Sequence, residues 1–121
     1  MTAPSTRTTA LAPSLIVFGV DDLTAATTFY TALLGVEPYA DSPYYVGFRT
    51  DGVEIGLDPA AARQGTTAPI AYWTTDDLDA RVESLVSAGA SVLRPASDVG
   101  GGQRVALLTD ADGNPVGLRS A

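Results

Sequence analysis

The chain has 121 residues, 45% of them hydrophobic, which is one domain's worth of sequence with enough apolar content for a core. Seven basic against 14 acidic residues leave a net charge of −7, so the basic stripe that nucleic-acid binding needs is missing. There is no His and no Cys, and every basic residue is Arg, which removes a His general base, a thiolate nucleophile, a disulfide framework, the usual zinc ligand set and a lysine Schiff base.

Residues 1–13 are rich in Thr, Ala, Ser and Pro without periodicity and read as a flexible arm ahead of a single domain over 14–121. The arm lacks the apolar stretch of a secretory signal, and no run reaches membrane-spanning length, so a cytoplasmic chain with no membrane partner is expected. Leu15 to Val20 is a short apolar strand that stops at Asp21-Asp22. Either Asp can N-cap a helix carrying Leu23, Ala26, Tyr30 and Leu33 or Leu34 at helical spacing, with Gly35 as its stop. Tyr44–Arg49 and Val53–Asp58 are strands joined by Asp51-Gly52, a two-residue hairpin signal that sets Arg49 opposite Glu54 and Gly47 opposite Gly56.

A linker over 59–68 leads to the strand Ile70–Thr75, which ends at Asp76-Asp77 and enters a helix with Leu78, Val82, Leu85 and Val86 on one face, stopped by Gly89. Strands follow at Ala90–Arg94, Arg104–Thr109 and Pro115–Leu118. Gly100-Gly-Gly102 reads as a mobile hairpin loop, and Asp110 to Asn114 as a β-turn. The last segment mimics the opening of a calcium loop, but Pro115 stands where that loop needs Gly and Ala121 where it needs Glu. Asp22 and Asp77 lie 55 residues apart, each within an Asp-Asp-Leu that opens a helix, so the pattern is two tandem β-α-β-β-β modules, about 14–58 and 69–119.

The motifs Val20-Asp-Asp-Leu23 with Phe29-Tyr30 and Leu34-Gly35, Thr75-Asp-Asp-Leu78 with Ala88-Gly89, and Asp110-Ala-Asp-Gly-Asn114 entering the last strand occur in an order that resembles the vicinal oxygen chelate superfamily. That superfamily includes glyoxalase I, extradiol dioxygenases, fosfomycin-resistance enzymes and bleomycin-resistance proteins. The resemblance covers about residues 14–119 and implies an α+β fold in which two tandem βαβββ modules form a cup-shaped mixed sheet with helices on the outer face. It also implies a homodimer. Its catalytic members hold a divalent metal at four positions that fall here on Leu15, Gly56, Ile70 and Gly117, none of which can ligate one. A metal-free member with no cofactor is therefore expected, against glyoxalase, dioxygenase and fosfomycin-modifying chemistry.

Strand alternation puts Val53, Ile55 and Leu57 on one face and Glu54, Gly56 and Asp58 on the other. With residues 15, 56, 70 and 117 facing the cup, alternation adds Val17, Gly19, Tyr45, Arg49, Tyr72, Thr74 and Arg119, while Ile16, Phe18, Val20, Ala71, Trp73, Val116 and Leu118 pack under the helices. The expected ligand-binding set is thus Leu15, Val17, Tyr45, Arg49, Glu54, Gly56, Asp58, Ile70, Tyr72, Thr74, Gly117 and Arg119, with Gly47, Gly56 and Gly117 leaving room for a small organic ligand. Glu54 opposite Arg49 reads first as a cross-strand ion pair. The leading expectation is capture of a natural product or drug without chemical change. The alternative is a metal-independent lyase, isomerase or cyclase with Glu54 or Asp58 as base, Tyr45 or Tyr72 as acid, and Arg49 or Arg119 holding an oxyanion. A third possibility is an accessory domain whose cup is filled by its own side chains.

Overall fold

Helix α1 (Leu23–Leu34) and helix α2 (Leu78–Ser87) start in the same way in this computed structural model, which describes residues 10–60 and 69–121. The Asp22 carboxylate accepts from the Ala25 amide and the Asp77 carboxylate from the Ala80 amide, each at 3.0 Å, so the repeated Asp-Asp-Leu is a repeated N-cap. Gly35 ends α1 in the left-handed region at φ 74°, its amide donating to the Thr31 carbonyl.

Eight strands surround these helices among the described residues: β1 (Pro13–Gly19), β2 (Ala40–Ser42), β3 (Tyr45–Arg49), β4 (Glu54–Asp58), β5 (Ile70–Thr75), β6 (Ser91–Asp98), β7 (Arg104–Thr109) and β8 (Pro115–Ser120). They form one mixed sheet in the order β2-β3-β4-β1-β5-β8-β7-β6. The first module supplies β2-β3-β4-β1 and the second repeats that order as β6-β7-β8-β5, so the modules meet along the antiparallel pair β1–β5. The fold is the α+β double module expected. β1 begins at Pro13, one residue inside the stretch read as an arm; residues 1–9 of that arm and 61–68 of the linker lie outside the described residues.

Each helix closes its own apolar cluster on one face of the sheet. Val46, Phe48 and Leu57 are essentially sealed from solvent beneath Leu23, Ala26, Tyr30 and Leu34 of α1, with Phe18, Val20 and Ile55 alongside. Leu78, Ala106, Leu108 and Leu118 pack with Trp73, Val82 and Leu85 in the second module. Burying each large side chain contributes about 1.5–3 kcal/mol. The alternation therefore assigned the core face correctly, Trp73 included. Val86, placed on the buried face of α2 by spacing, is exposed instead, because the stripe that meets the sheet runs through Leu78, Val82 and Leu85.

β6 and β7 are joined through Gly100, Gly101 and Gly102, all at positive φ, in the hairpin expected there. At the β7–β8 turn both oxygens of Asp110 are occupied within the turn, Oδ1 by the Asp112 and Asn114 amides and Oδ2 by the Asn114 side chain. Those bonds hold the Asp110 carboxyl below its usual range and fit the β-turn reading.

Candidate functional site

The sheet face turned away from the helices carries the expected set in continuous cross-strand rows. One row runs Gly47–Gly56–Val17–Ile70, and the next runs Arg49–Glu54–Leu15–Tyr72–Gly117–Leu107. Thr74 pairs with Arg119, and Gly19 with Asp58, above and below. The Arg49–Glu54 and Gly47–Gly56 pairings are those the two-residue turn demands.

The glycines do not leave open space. Gly47, Gly56 and Gly117 are buried beneath the rings of Tyr39, Tyr45 and Tyr72 respectively. A Cβ on Gly117 would stand 2.5 Å from Cδ2 of Tyr72, and one on Gly56 would meet the hydroxyl and Cζ of Tyr45. Without side chains of their own these positions let a neighbouring ring lie close against the backbone, so this face of the sheet is paved with aromatic surface. Tyr45 and Tyr72 stay partly exposed and Tyr39 is 44% exposed, so the paving is accessible from outside.

The Arg49–Glu54 ion pair is not made, although the two residues face each other. Glu54 accepts from the Tyr39 hydroxyl on Oε1 at 2.5 Å, and its Oε2 lies 3.6 Å from Nη2 of Arg119. The Arg49 guanidinium sits over the Tyr39 ring, 4.0 Å from its centroid. Arg119 in turn donates to Ser14 Oγ at 3.1 Å, Thr74 Oγ1 at 3.2 Å and the Ser14 carbonyl at 3.2 Å, while Ser14 Oγ and Thr74 Oγ1 are 2.7 Å apart. One guanidinium thus ties β8, β1, β5 and β4 together across the seam. Asp58 accepts from the Ala60 amide at 2.7 Å.

Burial pushes the Tyr45 hydroxyl up to about 12, helped by the negative charge of Glu54. Burial also raises Tyr72, with Asp58 adding to the shift and Arg94 opposing it, and raises Tyr39, which donates to Glu54. Tyr39, Ser14 and Arg94 are residues of this face that the sequence reading missed. Tyr39 precedes a three-residue strand too short to show alternation, and Arg94 follows the pairing of β6 with Leu107, whose register is interrupted by bulges.

The four positions that the resemblance ties to a divalent metal do not fit one. Leu15, Gly56, Ile70 and Gly117 have no donor side chain, rings cover the two glycines, and no three carboxylate, His or Cys groups converge among the described residues.

A double βαβββ sheet with an aromatic, charged face opposite its helices defines a glyoxalase-type two-module protein. The chain belongs to the Glyoxalase/Bleomycin resistance protein/Dioxygenase superfamily, matched over residues 13–118. It is 34% identical over 120 residues to the Mycobacterium tuberculosis protein named "Putative glyoxylase CFP32", an alignment covering 90% of this chain and 45% of that one. The chain thus spans a little under half the length of that relative. In fold it is similar to a Bacillus halodurans hypothetical protein (TM-score 0.76, 14% identity, 93% of this chain and 96% of that one). It is likewise similar to Streptomyces coelicolor methylmalonyl-CoA epimerase (TM-score 0.68, 21% identity, 93% and 99%).

Proposed function

We propose that the chain is a cytoplasmic, metal-free member of the superfamily that binds a small organic molecule on the sheet face opposite its helices and sequesters it unchanged, in the manner of a bleomycin-resistance protein. The observation that carries this reading is that Tyr45 and Tyr72, lying over Gly56 and Gly117 where the resemblance places metal ligands, stay partly exposed, whereas an accessory domain would have its cup filled and closed by its own side chains. Flat aromatic surface with a few oriented charges suits a planar, partly polar ligand. Of the expected binding set, Tyr45, Arg49, Glu54, Asp58, Tyr72, Thr74 and Arg119 are open to a ligand, with Tyr39 added, while Leu15, Val17, Gly56, Ile70 and Gly117 are buried and support them.

Binding is favoured over turnover by the state of the candidate acid–base groups. Glu54 is already engaged by Tyr39 and Arg119, and a Tyr45 hydroxyl pushed up to about 12 is a poor general acid near neutrality. The names of the glyoxylase-like relative and of the epimerase favour the alternative of turnover, a lyase, isomerase or cyclase that would have to work without a metal, with Glu54 or Asp58 as base and Tyr45 or Tyr72 as acid. The expected homodimer belongs to the same reading, supported by β2 and β6 being the sheet edges among the described residues and by the exposed Phe29 and Leu33 on α1. No helix among the described residues is long and apolar enough to cross a membrane.

The test is native mass spectrometry of protein purified without chelator. A co-purified organic ligand, recovered intact after incubation and accompanied by no equivalent of zinc, nickel or iron, is the expected result. A chemically altered ligand would transfer the reading to catalysis, and stoichiometric metal would end it.

A further inference from the structure

Charge on the two faces of the sheet is segregated in a direction opposite to the net charge of the chain. Among the acidic residues within the described strands, Asp41 pairs with Val46 and Asp98 with Arg104, which places both on the helix side. Only Glu54 and Asp58 face the other way. Three arginines share that face, namely Arg49, Arg119 and, through its pairing with Leu107, Arg94. A chain carrying −7 thus presents three cations against two carboxylates on this face.

The pairing within the face decides which cation is available. Arg119 takes Glu54, and the Tyr39 hydroxyl takes the other carboxylate oxygen, so the natural cross-strand partner of Arg49 is turned toward the seam. Among the described residues no carboxylate lies within ion-pair distance of Arg49 or Arg94. Arg49 is exposed, yet its guanidinium carbon sits over the Tyr39 ring, 4.0 Å from the centroid. A contact with a ring leaves the N–H donors of a guanidinium without a hydrogen-bond partner, and their planar fork matches the two oxygens of a carboxylate. The chain Arg119–Glu54–Tyr39–Arg49 is therefore a device that orders one arginine while withholding its neighbouring anion.

We infer that the ligand of this face is an organic anion whose carboxylate is held by the in-plane donors of Arg49 and whose body lies on the Tyr45 and Tyr72 paving. The inference rests on the binding reading above and adds the sign and class of the ligand. Arg94, at the far end of the row from Arg49, extends the same field toward Tyr72.

Benzoate and benzamidinium, of similar shape and opposite charge, are the probes, titrated to about 20 mM into the isotopically labelled full chain while the amides of Gly47, Gly56 and Gly117 are followed by NMR. Benzoate should shift these amides saturably. Arg49→Ala should weaken it at least about tenfold, and Arg49→Lys, which keeps the charge and loses the fork, should also weaken it. Arg104→Ala, which removes an exposed pair with Asp79 on the helix side, should change nothing. Thermal melts of the Arg49 variants confirm an intact core, since Arg49 is exposed. Equal benzoate affinity in Arg49→Ala, or preferential binding of benzamidinium at these amides, overturns the anion assignment and leaves the face as a binding site. If neither probe moves an amide of this face, the assignment and the binding reading fall together.

Discussion

In the first module the ring over Gly56 belongs to Tyr45, a diagonal neighbour on β3 that reaches the glycine with its hydroxyl end. In the second module the ring over Gly117 belongs to Tyr72, the direct register partner on β5, and a whole edge of the ring from its root outward, Cγ, Cδ2 and Cε2, lies over the glycine. The glycines occupy equivalent places, Glu-Ile-Gly-Leu-Asp against Pro-Val-Gly-Leu-Arg, yet the aromatic rings arrive from different strands. The charges differ in the same way: Glu54 and Asp58 on β4 have Pro115 and Arg119 as counterparts on β8. A duplicated backbone plan thus carries an acidic strand on one side of the seam and a basic one on the other, and Arg119 to Glu54 joins them. Internal symmetry fixes where a recess forms, whereas the side chains that fill it are free to diverge.

The equivalence of the two cores is the first part of this comparison to break. Phe48→Ala in the first module and Leu108→Ala in the second each empty a fully buried site, and denaturant melts should show losses of about 3–5 and 2–5 kcal/mol. A single cooperative transition in both variants would mean that the seam couples the modules into one folding unit. Two transitions would show that each module melts alone.

The glycines sharpen the contrast. Gly117→Ala should cost about 2–3 kcal/mol, because the base of the Tyr72 side chain cannot move without shifting β5. Gly56→Ala should cost about 1 kcal/mol or less, because only the far end of Tyr45 must swing aside. Equal losses would show that both rings are held with the same stiffness.

At the seam, Arg119→Leu leaves the Glu54 carboxylate without its cation and the Ser14 carbonyl without its donor, and should cost about 2 kcal/mol. Adding Glu54→Gln should recover part of that loss, and strict additivity in the double-mutant cycle would argue that the pair contributes nothing.

The last effect is absent at neutral pH and emerges only in alkali. The Tyr45 pKa is raised from the ordinary 10.0 to about 12, so its stabilising contribution is complete below pH 10 and is lost as pH rises through about 12. Tyr45→Phe should flatten the stability profile between those limits without altering it at neutral pH. An unchanged alkaline slope would place the sensitivity elsewhere, Tyr72 being the next group to replace.

The sequence alone determined the duplicated module, a helix start at each Asp-Asp-Leu, the core-facing parity and the register through Asp51-Gly52, because each depends on residues within one element or one turn, whereas the structure chose Asp22 over Asp21 as the first cap. It also determined that Leu15, Gly56, Ile70 and Gly117 offer no metal ligand. Parity states which face a side chain leaves from, but not where its end arrives. Glu54 had Arg49 opposite it and still turned to Arg119, 65 residues away, because the β1–β5 seam brings that guanidinium within reach while Tyr39 takes the other carboxylate oxygen. The same limit applies to Gly56 and Gly117. A sequence shows that a side chain is missing there, and only the packing of neighbouring strands decides that a tyrosine ring settles into the recess.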